Sequence, residues 1–186
     1  MKTYTEQELL NLIKNGDRSA MADLYRLHIG FLTALCSRYI IDRDEVKDTL
    51  QNSFMKIFSS LDRFQYRGPG SLKAWMSRIV VNESLKTLSG HQKANKFKDD
   101  LKADFQETED NIPQTEGIPE NIIQEMIREL PEGYRTVFNL FVFEEMSHKE
   151  IANILGITES TSASQFHRAR NILAKKIKEY RNREIS

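Results

Sequence analysis

"GITESTSASQFHRAR", residues 156–170, opens on a helix breaker and closes on His167, Arg168 and Arg170. Just upstream, Ser147-His148-Lys149-Glu150 has the form of a capping box, in which serine and glutamate each satisfy a free N–H at a helix start. Ile151, Ile154 and Leu155 follow at helical spacing, so a short helix runs into Gly156. Thr158 can cap the next helix after only a few residues. Helix, tight glycine turn, helix is the helix-turn-helix pattern. On the second helix Phe166, Ala169, Leu173, Ile177 and Tyr180 share one face, and Thr161, Ser164, Arg168, Asn171 and Lys175 lie about half a turn away. That polar face is small at its start and cationic later, which suits a helix entering a major groove with its first turns. Arg168 can reach a guanine edge or a phosphate, and Gln165 can read adenine through two hydrogen bonds or be a spectator. An ordinary αα-hairpin with a glycine turn gives the same pattern, and His167 by itself fits a satisfied surface histidine.

Working outward, Pro119 suits a first helical turn, with Ile122, Ile123, Met126, Ile127 and Leu130 as its apolar face. Pro131 starts another helix, with Tyr134, Val137, Phe138, Phe141 and Val142 facing inward. The N-terminal half is helical as well. Thr5-Glu6-Gln7-Glu8 is a second capping box, ahead of Leu9, Leu10, Leu12 and Ile13. Gly16 ends that helix and Asp17 can cap the next, whose stripe is Met21, Leu24, Tyr25, His28, Leu32, Leu35 and Tyr39. A third helix, from about Asp44 to Leu61, carries Val46, Leu50, Phe54, Ile57 and Leu61. "FQYRGPG" (64–70) interrupts, and Ser71 can cap a fourth helix bearing Leu72, Trp75, Ile79 and Leu85, with Trp75 assigned to the core. The expected fold is all-α: an N-terminal helical bundle over 1–95 and a C-terminal four-helix domain over 119–186, joined by a linker over 96–118.

That linker holds three lysines against seven acids and little periodicity, and it reads as a flexible acidic tether. It explains why 27 basic and 27 acidic residues give the 186-residue chain no net charge. Residues 1–95 hold 14 basic against 10 acidic, a balance of +4, and 159–183 hold seven against two, a balance of +5. Two basic surfaces are therefore separated by an acidic spacer, and local charge decides where phosphates bind.

The single cysteine, Cys36, lies in an apolar run, which excludes an intrachain disulfide and points to a buried small hydrophobe. No signal peptide and no membrane-spanning run is legible, so a cytoplasmic protein without membrane insertion is expected. No glycine-rich phosphate loop, nucleophile elbow or set of His/Cys ligands occurs, so no enzyme activity, metal or cofactor is expected.

At this point the sequence resembles a known family. "LPEGYRTVFNLFVFEEMSHKEIANILGITESTSASQFHRAR" (130–170) is similar to the promoter-binding C-terminal domain of bacterial sigma factors, above all the small extracytoplasmic-function class. "DEVKDTLQNSFMKIFSSLDRF" (44–64) and "GSLKAWMSRIVVN" (70–82) resemble that class's N-terminal domain, so the likeness spans about residues 10–183. The resemblance implies a subunit that joins core RNA polymerase, through the β′ clamp and β flap, and directs it to promoter DNA. It implies that Asp48, Gln51, Phe54 and Lys56 lie on the helix that meets the clamp. It implies that Arg63, Phe64, Tyr66, Arg67, Ser71, Lys73, Arg78 and Asn82 engage the melted −10 strand. It implies that Thr161, Ser164, Gln165, His167, Arg168 and Lys175 meet the −35 duplex. The chemistry is apt: melted bases need stacking surfaces, worth about 1–3 kcal/mol each, and Asn82 stands where the family has its asparagine.

Two departures stand out. Ala163 and Gln165 occupy positions where the family often has lysine or arginine, so affinity should lean on Arg168, Arg170 and Lys175-Lys176. The loop before Ser71 is slightly longer than the commonest form. Twenty-three extended linker residues reach at most about 75–80 Å, enough for two elements about two turns of DNA apart, at about 34–36 Å a turn. The family also implies that an anti-sigma protein could hold the chain inactive. With no obvious dimer seam, a monomer is expected when free. The competing functions are a helix-turn-helix regulator that binds DNA alone and an adaptor that binds no DNA.

Overall fold

The computed structural model describes residues 4–94 and 115–184. The described residues form α-helices with one 3-10 turn and no strand, and the chain divides into two compact units, Met1–His91 and Gln92–Ser186. Most of the expected linker lies outside the described residues.

In the first unit, α1 (Glu6–Lys14) starts at Thr5, whose hydroxyl accepts from Glu8 N while the Glu8 carboxylate accepts from Thr5 N. Asp17 caps α2 (Arg18–Cys36) through the N–H groups of Ser19 and Ala20. Asp42 caps α3 (Arg43–Ser60), one residue ahead of the expected start. The 3-10 turn Leu61–Arg63 leads into the loop, and α4 spans Ser71–Ala94. The core is built from Leu9, Leu24, Leu32, Val46, Leu50, Phe54, Ile57, Leu72, Met76 and Val80. Each such side chain is worth about 1.5–3 kcal/mol of burial. Tyr39 lies beyond the end of α2 but is fully buried, so the stripe continues across the turn. Cys36 is buried and forms no disulfide; burial pushes its thiol up, against a smaller opposing effect of the Ser84 hydroxyl.

Two expectations for α4 are corrected. Ser71 is the first helical residue rather than a cap: its hydroxyl donates to Gly68 O at 2.7 Å and accepts from Arg67 N at 3.2 Å, stitching the loop. Trp75 is half-buried, its ring 4.9 Å from that of Phe64, because the innermost positions are taken by Leu72, Met76 and Val80.

In the second unit, α5 (Glu120–Arg128), α6 (Glu132–Val142), α7 (His148–Leu155) and α8 (Glu159–Glu184) surround a core that includes Met126, Leu130, Val137, Leu140, Ile151, Ala169, Leu173 and Ile177. Pro119 and Pro131 stand at the N-caps of α5 and α6, one position before each helix. Ile118, read as tether, is buried in this core, so the unit begins earlier than residue 119. Val142, read as inward, is 42% exposed, while Val137 and Leu140 are fully buried; on α7, Ile151 is fully buried and Ile154 is 45% exposed.

Glu145, between α6 and α7, adopts φ 54°, the left-handed region that favours glycine. The strain of a Cβ there, about 1–2 kcal/mol, exceeds the entropy glycine adds to the unfolded chain, about 0.5–1 kcal/mol. Glu145→Gly should therefore raise the stability of the second unit by about 0.5–1 kcal/mol, read as a higher urea midpoint. A lower midpoint would contradict the assignment of strain.

Candidate nucleic-acid interface

The helix-turn-helix is fixed locally. The Ser147 hydroxyl accepts from Glu150 N, and the Glu150 carboxylate accepts from Ser147 N. The Ser147 hydroxyl also donates to the Glu150 carboxylate at 2.6 Å, and that bond first, then the one from Ser147 N, holds the Glu150 carboxyl below its ordinary value. Gly156 closes α7 at φ 67°, and Thr158 accepts from Thr161 N at 3.1 Å to start α8. His148 ties the two helices: its Nδ1 is 3.0 Å from the Oγ of Ser162, which is fully buried, and its ring stacks on Phe141 with centroids 4.6 Å apart.

Opposite the buried Ala169, Leu173 and Ile177, α8 exposes Ser160, Ala163, Ser164, His167, Lys175 and Lys178, with Asn171 half-exposed. Asn171 Nδ2 donates to His167 Nε2 at 3.1 Å. Of the expected duplex-reading residues, Ser164, His167 and Lys175 lie on this stripe, and Thr161 and Arg168 lie at its edge, both half-buried. Arg168 Nη1 donates to the Tyr134 hydroxyl at 3.2 Å. Gln165 is turned away: its amide lies over Gly133 of α6, where an added Cβ would stand 3.5 Å from its Oε1. A Cβ at 133 would sit in ordinary van der Waals contact with this amide, so the half-buried glutamine packs against α6. The sequence singled out neither Gly133 nor Tyr134 for this role, because each is 32 or more positions from the residue it holds.

In the first unit, α3 presents Asp48, Gln51, Asn52 and Met55 on one exposed face, Met55 at 64%. Phe54 is buried, its ring 4.6 Å from Tyr25 and 5.9 Å from Phe58, and it supports the face from beneath. Lys56 is paired with Glu83 of α4, a carboxylate whose side chain is only 8% exposed. Glu83 belongs to a polar seam between α3 and α4 that also joins Thr49 Oγ1 and Thr87 Oγ1 at 3.0 Å. Sequence patterning missed this seam because a glutamate on a helix reads as solvent-facing.

Along α4, Ser71, Arg78 and Asn82 share one stripe with Trp75 between them, Arg78 and Asn82 being exposed. Arg63 and Arg67 are exposed, and Phe64 and Tyr66 are half-buried. Lys73 falls on the other side of α4 from that stripe, its Nζ 3.8 Å above the Phe31 ring. Gly70 N donates to Glu6 Oε2 at 3.0 Å. Among the described residues no cluster of His, Cys, Asp or Glu could hold a metal ion, and no helix is long and apolar enough to cross a membrane.

Residues 24–94 match the family described as Sigma-70 region 2, and residues 120–173 match Sigma-70, region 4. The chain belongs to the sigma-70 family. It is 29% identical to the ECF RNA polymerase sigma-E factor of Haemophilus influenzae over 93% of this chain and 95% of that protein. It is 28% identical to the ECF RNA polymerase sigma factor SigW of Bacillus subtilis over 90% and 94%. The sigma factor RpoE, solved with the anti-sigma factor NepR from Bartonella quintana, aligns with a TM-score of 0.48 at 23% identity, covering 84% of this chain and 96% of that one. Within the family the chain is a sigma factor of the extracytoplasmic-function group, a factor of promoter-specific transcription initiation.

Proposed function

We propose that the first unit docks on the β′ clamp of core RNA polymerase through α3 and captures the melted −10 strand with the loop and the α4 stripe. The second unit engages the β flap and reads the −35 duplex through α8. The observation that carries this reading is the division of labour: one unit presents a loop with half-buried aromatics beside exposed arginines, and the other a capped helix-turn-helix with a small-then-cationic exposed stripe. Melted strand and duplex need those different chemistries. The role is one of binding and positioning, carried out in the cytoplasm where polymerase and DNA meet. The domain limits 1–95, 96–118 and 119–186 belong to the same proposal, the last adjusted to admit Ile118. A dedicated anti-sigma protein would act by covering α3 or α8, and co-purification from the native host tests for one.

The clamp assignment predicts that Asp48→Lys with Gln51→Ala abolishes co-purification with core polymerase while leaving the helical circular dichroism unchanged, since both side chains are exposed. Unchanged co-purification would contradict the assignment of α3.

A further inference from the structure

The loop leading into α4 contains two glycines with positive φ, Gly68 at 118° and Gly70 at 84°. Untied, such a segment samples many shapes, and ordering it on binding costs free energy. The structure ties it at several points. Ser71 stitches Arg67 to Gly68 from within, and Phe64 leans on Trp75. The remaining ties come from far away in sequence. Glu6 accepts from Gly70 N across 64 positions, and Phe31 of α2 carries the Lys73 ammonium on its ring.

Glu6 stands on a backbone that is held in place. It belongs to the first turn of α1, which the reciprocal Thr5–Glu8 cap fixes and which Leu9, Leu10 and Ile13 anchor in the core. A carboxylate next to a segment that receives a polyanion repels phosphate, so its charge opposes binding and its hydrogen bond is what it can contribute.

We propose that Glu6 is a positioning residue, holding the 64–70 loop through Gly70 N in the shape that receives melted non-template bases. The Lys73–Phe31 contact secures the first turn of α4 behind it. The inference rests on the reading of this loop as the strand-binding element, and it adds a residue of α1 that touches the loop rather than the DNA.

The test uses holoenzyme assembled from the full chain and core polymerase, with a fork-junction DNA whose −10 non-template strand is single-stranded. Glu6→Ala should weaken binding of the fork about fivefold, the loss that one hydrogen bond of ordinary net strength represents. Binding to a duplex carrying only the −35 element should match the wild type. Glu6→Gln, which keeps an acceptor oxygen and drops the charge, should restore fork binding and keep the slow hydrogen exchange of the Gly70 amide that Glu6→Ala loses. A fork affinity unchanged in Glu6→Ala overturns the inference. So does a Glu6→Gln variant as weak as Glu6→Ala, which would assign the effect to charge at the start of α1. A wild-type holoenzyme that ignores the single strand would instead overturn the strand-binding reading underneath.

Discussion

Arg135→Met is expected to lower the stability of the second unit by about 3 kcal/mol, the size of one to two hydrogen bonds from a charged donor. Arg135 is 3% exposed, and its Nη1 donates to the carbonyls of Leu130 at 2.8 Å and Arg128 at 3.2 Å. Those carbonyls stand at the end of α5, where backbone acceptors lack intrahelical partners and the helix dipole is negative. The next residue is Pro131, which has no N–H to offer them. A buried guanidinium fills that gap. Burial pushes Arg135 below the ordinary arginine value, with Glu132 pulling it back up, yet arginine starts so far above neutrality that it stays charged. Methionine keeps most of the volume and removes the donors, so the loss isolates the polar contacts. For a unit of this size the whole stability is about 3–10 kcal/mol, so the loss is roughly a third of it to all of it. Segment-resolved hydrogen exchange should show faster exchange in α5–α8 and no change in α1–α4. Equal protection in the variant would contradict the capping role.

Arg168→Ala is expected to weaken −35-duplex binding by about 1–3 kcal/mol, roughly five- to 150-fold. The side chain leaves α8 at the edge of the exposed stripe, and the Tyr134 hydroxyl limits where its guanidinium can point. Fewer rotamers to freeze means less entropy lost on meeting DNA. Tyr134→Phe, which removes only that hydroxyl, should cost less, about 0.5–1.5 kcal/mol. The salt dependence of binding separates a phosphate target from a base target. If the guanidinium meets a phosphate, Arg168→Ala lowers the salt slope by about one and weakens all sequences alike. If it meets a base, the slope stays intact and preference relaxes at one position. Binding of Arg168→Ala equal to wild type at every salt concentration would remove Arg168 from the interface.

Local signals in the sequence proved dependable because their physics is local. Both capping boxes form with their two reciprocal bonds, and Gly156 takes the left-handed turn that the helix-turn-helix needs. The apolar stripes of α2, α3 and α8 predict most of the core, since a period of three to four residues decides which side of a helix is covered. The failures concern choices made by packing between distant segments. Val142 looks apolar and is, but α6 turns it outward because Leu140 and Val137 already fill the interior. Gln165 shows no sign in the sequence that its amide lies beside Gly133 of α6. Lys56 carries no sign in the sequence of Glu83, its partner on α4. Glu6 carries no sign of its partner, because nothing near residue 6 encodes a loop 64 positions away. The departures at Ala163 and Gln165 now read differently as well: Gln165 is half-buried against α6, and the exposed stripe presents Ser164, His167 and Lys175 with Arg168 at its edge.

Run-off transcription by core polymerase on fragments of the native genome, with and without the purified chain, bears on the whole reading at once. RNA starts that require the chain, lie downstream of two shared sequence elements about two helical turns apart, and vanish with Arg168→Ala are the predicted result. RNA chains begun at the same sites and rates without it would contradict that reading.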